Sequence, residues 1–296
     1  MSSFETKRKS LKADGVLVLV TLLAASGWMF SYQALRGIPP LLFVGIRFLG
    51  AGMILAALSG RKITSLHSDP RVLRQCSYTG LVLGAAMMSW IMGLHFTRAL
   101  GAGAFISSLG VVIAPIVARF LFRSPVSRPT WMAIVVATLG LACLALQKGM
   151  TVHLADVFFF GSAIGFSVHF NLNSRFAGKI PVLTLTTIQL GIVGLLSLIG
   201  SALVESWPER IGYETWFWVA LSVLIGTCLR FYFQIWAQSR TSMNHAAFIM
   251  TIEPVWAALF AMIWLGERMR PMQLLGGGLV LCALVISRWR SLCRSA

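Results

Sequence analysis

The sequence predicts an all-α polytopic membrane protein with ten transmembrane helices arranged as two inverted five-helix repeats. Three observations carry that prediction. Of 296 residues, 57% are hydrophobic and only 11% charged, with mean hydropathy +0.80, whereas soluble domains carry about a quarter charged residues. Apolar runs of about 20 residues, long enough to cross a bilayer, recur from one end of the chain to the other. The second half also repeats the first. Pro39 to Arg47 matches Pro181 to Gln189 at a shift of 142 residues, and Gly103-Ala104-Phe105-Ile106 matches Ala246-Ala247-Phe248-Ile249 at a shift of 143.

Taken in order, the runs between breakers place spans at 15–35, 40–59, 74–96, 101–122 and 129–147, then at 154–175, 181–203, 214–238, 244–265 and 271–289. The first follows Lys7-Arg8-Lys9. It is too long for a signal-peptide core and lacks a small-residue cleavage site, so it reads as a retained helix. Arg36-Gly37-Ile38-Pro39-Pro40 turns the chain into the second span, and Ser68-Asp69-Pro70 precedes the third. Ser124-Pro125 through Pro129 separates the fourth from the fifth, and Gly178-Lys179-Ile180-Pro181 the sixth from the seventh. Glu205 through Gly212 and Glu267-Arg268-Met269-Arg270-Pro271 close the list of turn signals. Joints this short allow only an antiparallel bundle. The chain divides into a tail (1–14), a first repeat (15–147), a linker (148–153), a second repeat (154–289) and a second tail (290–296). Five spans is an odd number, so the second copy enters the membrane upside down relative to the first.

Lysine and arginine set the expected orientation. With the N-terminus inside, outside segments hold Arg36, Arg98, Lys148, Arg210, Arg268 and Arg270, while Arg47, Arg119 and Arg230 fall within spans. The other 16 of the 25 basic residues lie inside, so both termini are predicted to be cytoplasmic. The net charge of +16 therefore marks topology and contact with anionic lipid, not nucleic acid, for which there is no basic soluble domain. Five scattered cysteines without a CxxC spacing fit buried small side chains better than a disulfide framework or a metal site.

Polar groups inside apolar runs are the candidate site residues. Glu253-Pro254 sits within the ninth span. An acid at that depth costs roughly 2.5–3.5 kcal/mol on insertion scales, and the proline removes a backbone donor beside it. Its nearest first-half equivalent, Pro115, lies one helical turn out of register, and both prolines are read as helix breaks. In the eighth span Thr227, Arg230, Gln234 and Gln238 share one helical face, either lining a pathway or hydrogen-bonding between helices. Glu253 could pair with Arg230, hold a cationic group or take up a proton. Arg47 corresponds to Gln189 and either faces the pathway or snorkels. His169 and Asn173 share a face of the sixth span, with Phe166 one turn earlier. Met88, Met92 and His95 form a stripe beside Trp90 in the third, and Trp28 and Tyr32 share a face of the first. The alternatives are a satisfied bundle histidine for His169, packing for the methionine stripe and an interfacial belt for Trp28 and Tyr32. Gly80/Gly84 and Gly161/Gly165 have the spacing of close helix contacts.

An ordered set of motifs resembles the EamA branch of the drug/metabolite transporter superfamily. In the second half these are Gln234 to Gln238, His245-Ala246-Ala247, Thr251 to Ala258, Gly266-Glu267 and Gln273 to Gly276. The first half contributes Pro40 to Arg47 and Phe105 to Leu109. The resemblance implies ten helices in two inverted repeats, with the first four of each lining a cavity and the fifth and tenth peripheral. It also implies a small-metabolite carrier of the cytoplasmic membrane, often an exporter. The chain departs from the pattern at Ser124, where a glutamate like Glu267 is common, and at Gly27-Trp28, where the order is usually reversed.

Inverted repeats with interrupted helices are the architecture of alternating access. The expected activity is therefore transport of a small metabolite, an amino acid or a related amphipathic solute, and the resemblance implies that it is export through the inner membrane. No nucleotide-binding motif is present, so a proton or counter-solute would drive it, with no cofactor. The expected partners are the solute, the bilayer and, as one assembly, a second copy in a homodimer. A multidrug-type efflux carrier is the alternative within the class. A lipid-modifying membrane enzyme is the alternative outside it, disfavoured because acids and histidines are not clustered.

Overall fold

Prolines and glycines set the helix boundaries. In a computed structural model, which describes residues 3–59, 70–123, 128–146, 153–241, 246, 249–250 and 252–295, the chain is helical with no strand among the described residues. Ten helices are described: α1 (Ser3–Ala34), α2 (Pro40–Ser59), α3 (Pro70–Phe96), α4 (Leu100–Phe122), α5 (Arg128–Leu146), α6 (Leu154–Phe176), α7 (Val182–Val204), α8 (Tyr213–Gln238), α9 (Glu253–Leu265) and α10 (Pro271–Ser295). Pro40, Pro70 and Pro271 stand at first helical positions, where the missing N–H costs nothing. The left-handed Gly266 (φ 65°) ends α9. Seven helices carry long apolar stretches; α5, α9 and α10 carry the shorter ones Trp131–Gly140, Glu253–Leu265 and Pro271–Ala283.

Three features differ from the sequence reading. The first helix starts at Ser3, inside the segment assigned to a tail, and the last runs on to Ser295. Pro115 lies within α4 without interrupting it, correcting the break expected there. Pro254 stands in the first turn of α9, and Thr251 before it lies outside the described residues. The third difference is a π-helical turn, Leu224–Leu229, inside α8.

Helix contacts follow a pseudo-twofold pattern in which each helix of the first repeat exchanges with the fifth one after it. α2 packs on α7 and α5 on α10, each pair being its own mate. The contact of α3 with α6 is mirrored by that of α8 with α1, and α4 with α6 by α9 with α1. Lipid offers no hydrophobic drive for these contacts, so close packing must supply it. At the α2–α7 crossing a Cβ on Gly194 would lie 2.6 Å from the backbone nitrogen of Leu49, a distance only glycine allows. α5 and α10 pack on each other and on α4 at the periphery. Exposed Met53, Phe120, Trp131 and Ile263 give the bundle an apolar exterior, as lipid contact requires.

Candidate functional site

A cavity opens between the repeats, with Gly110 of α4, Phe166 of α6 and Gly226 of α8 among its lining residues. Its empty volume, with the open solvent at its mouth included, is about 1050 Å³. Its walls come from α1, α2, α3, α4, α6, α8 and the α9 segment, and none from α5 or α10. The seventh helix contributes no lining residue either.

Two guanidinium groups and one carboxylate reach this space. Arg230 Nη2 lies 3.9 Å from Glu253 Oε2, too long for a hydrogen bond, so the two attract without binding each other's polar atoms. Glu253 accepts a bond from Trp28 Nε1 at 3.3 Å, while Arg230 lies 4.4 Å over the Phe231 ring and its Nε has no partner. Both side chains keep some exposure, 15% and 21%. Trp28 meets Trp90 edge to face at 4.9 Å, and together they form an aromatic wall beside the carboxylate.

Arg47 is held differently. Its Nε donates to the Thr227 hydroxyl, Nη1 to Ser31 Oγ at 2.7 Å and Nη2 to the Gly226 carbonyl at 2.9 Å. The π-helical turn prepares this seat. Thr227 donates its own proton five residues back to the Ser222 carbonyl at 2.8 Å, and the widened turn presents Gly226 to the guanidinium. A Cβ on Gly226 would stand 3.1 Å from Gly27 Cα and 3.2 Å from Arg47 Nη2, so any larger residue would push α1 or the guanidinium aside where α1 and α8 touch. Arg47 therefore does not snorkel to an interface: it is 5% exposed and lines the cavity.

A second polar cluster lies behind the wall. His169 Nε2 bonds Gln189 Oε1 at 3.2 Å, Gln189 Nε2 donates to Asn173 Oδ1 at 3.2 Å, and Asn173 Nδ2 donates to Gln238 Oε1 at 2.6 Å. This ladder joins α6, α7 and α8. His169 also touches the cavity, but Asn173 and Gln238 do not line it and act between helices. Of the other residues singled out in the sequence, Trp28, Trp90, Arg230, Gln234, Glu253 and Pro254 line the space. Tyr32 and His95 do not. Tyr32 sits under Arg36 at 5.7 Å near the end of α1, and exposed His95 packs on Phe96.

Sequence reasoning missed Ser107, Ser108, Met87 and Phe170 as lining residues. The serines stood in a motif already noted, Phe105 to Leu109, where two adjacent hydroxyls in an apolar run were a usable signal. Met87 was missed because the stripe was drawn through Met88 and Met92, which pack against the core instead.

Comparison with known proteins agrees with this architecture. The chain matches the EamA-like transporter family twice, over residues 11–146 and 153–289. An uncharacterized transporter from Archaeoglobus fulgidus is 26% identical over 279 residues, covering 94% of this chain and 86% of that protein. A crystal structure superposes with a TM-score of 0.70, covering 96% of this chain and 99% of its own at 16% identity, a likeness of fold. With the family match spanning both repeats and a walled polar cavity between them, the chain belongs to the EamA-like transporter family.

Proposed function

We propose that the protein is a secondary transporter of the inner membrane that exports a small amphipathic metabolite, an amino acid or a related solute, by alternating access. The supporting observation is the loose Arg230–Glu253 pair facing an aromatic-walled space between the repeats. Ionisable groups in a bilayer are retained for substrate or proton pathways far more often than for stability. Arg230 has an unused donor for the solute's acid group. Glu253, 3.9 Å away, is placed to release Arg230 and take up a proton as the solute binds. The two repeats rock about the cavity, with both termini cytoplasmic as the distribution of basic residues indicates. A multidrug-type carrier is a second reading, resting on the pliable Met87 and Met250 in the wall.

Counterflow in proteoliposomes across a range of pH tests this. Arg230→Gln should lower saturable exchange by about a hundredfold, the loss of a charge-assisted contact in a dry site. Glu253→Gln should keep exchange but lose its dependence on a proton gradient. An unchanged rate and pH profile in Glu253→Gln would remove Glu253 from coupling. Equal flux of unrelated apolar cations would favour the multidrug reading.

A further inference from the structure

We infer that the cavity selects a solute of net negative charge: an organic monoanion whose single acid group is not balanced by an ammonium. This rests on the transporter reading and takes, of the solutes named there, the related amphipathic acid without an ammonium and not the amino acid itself. Arg47 and Arg230 both line the cavity, and guanidinium groups stay protonated in proteins. Nine acidic residues exist in the whole chain, and among the described ones Glu253 alone lines the cavity. Glu205 and Glu267 are engaged at the starts of α2 and α4, while Asp156 and Glu214 stand in the first turns of α6 and α8. Two cations face one carboxylate.

The sign of that balance does not depend on protonation. With Glu253 ionised the site carries one excess positive charge; with Glu253 protonated it carries two. Protonating His169 adds another. The partners of Arg47 are all neutral, two hydroxyls and a carbonyl, so nothing in its seat cancels its charge. An uncompensated charge in a low-dielectric site is costly, and a bound anion offsets that cost where a zwitterion or a cation does not.

Directional groups point the same way. Arg230 Nε and Ser107 Oγ are both buried, partnerless and on the lining residues, and both can donate. Arg230 Nη2 does not reach hydrogen-bonding distance of Glu253. The guanidinium thus keeps the fork geometry that receives an acid group through two oxygens. Trp28, Trp90, Phe166 and Phe170 supply an apolar surround for the rest of the solute.

The test uses the full chain in lipid nanodiscs and two matched triads that share a body and differ in charge. These are 3-phenylpropionate, phenylalanine and phenethylamine, then indole-3-propionate, tryptophan and tryptamine. Saturable binding by thermal shift should be about tenfold tighter for the anion than for its zwitterion, with the amine weakest, as one extra unit charge at close range dictates. Arg47→Gln should bring anion and zwitterion to within about twofold. Because Arg47→Gln removes part of a structural clasp, Glu253→Gln is the paired variant: it makes the site more positive and should widen the preference. A zwitterion or amine bound as tightly as its anion, or a preference narrowed by Glu253→Gln, overturns the inference and leaves the transporter reading standing. Absence of saturable binding by all six overturns both.

Discussion

Two polar clusters occupy equivalent places in the two repeats and do different work. The shift of 142 residues that aligns the repeats carries Arg47 onto Gln189 and Ser31 onto Asn173. In the first pair Arg47 Nη1 donates to Ser31 Oγ at 2.7 Å; in the second Gln189 Nε2 donates to Asn173 Oδ1 at 3.2 Å. The geometry is conserved across the pseudo-twofold while the charge is not. Arg47 faces the cavity, whereas Gln189 is fully buried behind it. An inverted repeat therefore constrains where polar groups meet, and leaves each half free to choose what they carry. The first-repeat cluster is charge-assisted and should be the stiffer of the two.

That contrast is broken most severely at Arg47. Arg47→Met leaves the Gly226 carbonyl without its cationic donor and strips two hydroxyls of theirs. The expected loss is about 1–3 kcal/mol, the cost of leaving a buried acceptor unsatisfied, since no partner charge is stranded. Denaturant unfolding in mixed micelles measures it. A loss under about 1 kcal/mol would mean that the clasp contributes little to the fold.

The neutral ladder gives the middle-sized effect. Asn173→Ala removes the bonds to both Gln189 and Gln238, yet neutral interhelical bonds in membranes average about 0.6 kcal/mol. A cost of roughly 1 kcal/mol by the same assay is expected, with solute preference unchanged because Asn173 does not line the cavity. A shift in preference without loss of stability would place the ladder in the pathway after all.

The contrast also explains what could be read from the sequence. Seven of the ten expected spans stand as long apolar helices and three as shorter ones among the described residues; they were legible because apolar runs and Pro/Gly breakers report helix length directly, and the repeat because Pro39 and Pro181 open matching helices. Arg47, Arg230 and Glu253 were legible because a charge in an apolar run has few reasons to be there. Which polar residues face the space and which are sealed was not legible. Asn173 and Gln238 satisfy each other across two helices, and that pairing depends on how α6 and α8 are rotated. In the same way the rotation of α3 separates Met87 from Met88. The π-helical turn left no trace, since Leu224 to Leu229 reads as ordinary helix.

A smaller asymmetry lies at the end of the bundle opposite the N-terminus. There the second repeat clamps the first with carboxylates. Glu205 accepts from the Leu41 and Leu42 amides at 2.7 and 2.9 Å, and Glu267 from the Leu100 and Gly101 amides at 3.1 and 3.3 Å. Each carboxylate satisfies free N–H groups at a helix start and meets the positive end of its dipole. The equivalent first-repeat positions, Ile63 and Ser124, lie outside the described residues and carry no carboxylate. Burial raises the Glu267 carboxyl above its ordinary value, against the opposing pull of the two amides. The clamped state consequently holds a proton more tightly than a released one. Clamping is favoured as pH falls, and the bias is lost as pH rises through the raised value. Glu267→Gln should abolish that pH dependence at a stability cost near 0.5–1 kcal/mol, the lower part of the range for a helix cap. Labelling of a cysteine introduced at Gly101 reads the clamp directly. Relative to the unfolded chain, which cancels the rise in thiolate with pH, wild-type labelling that rises with pH and a flat Glu267→Gln profile are expected, while identical profiles would show that Glu267 protonation does not bias the clamp.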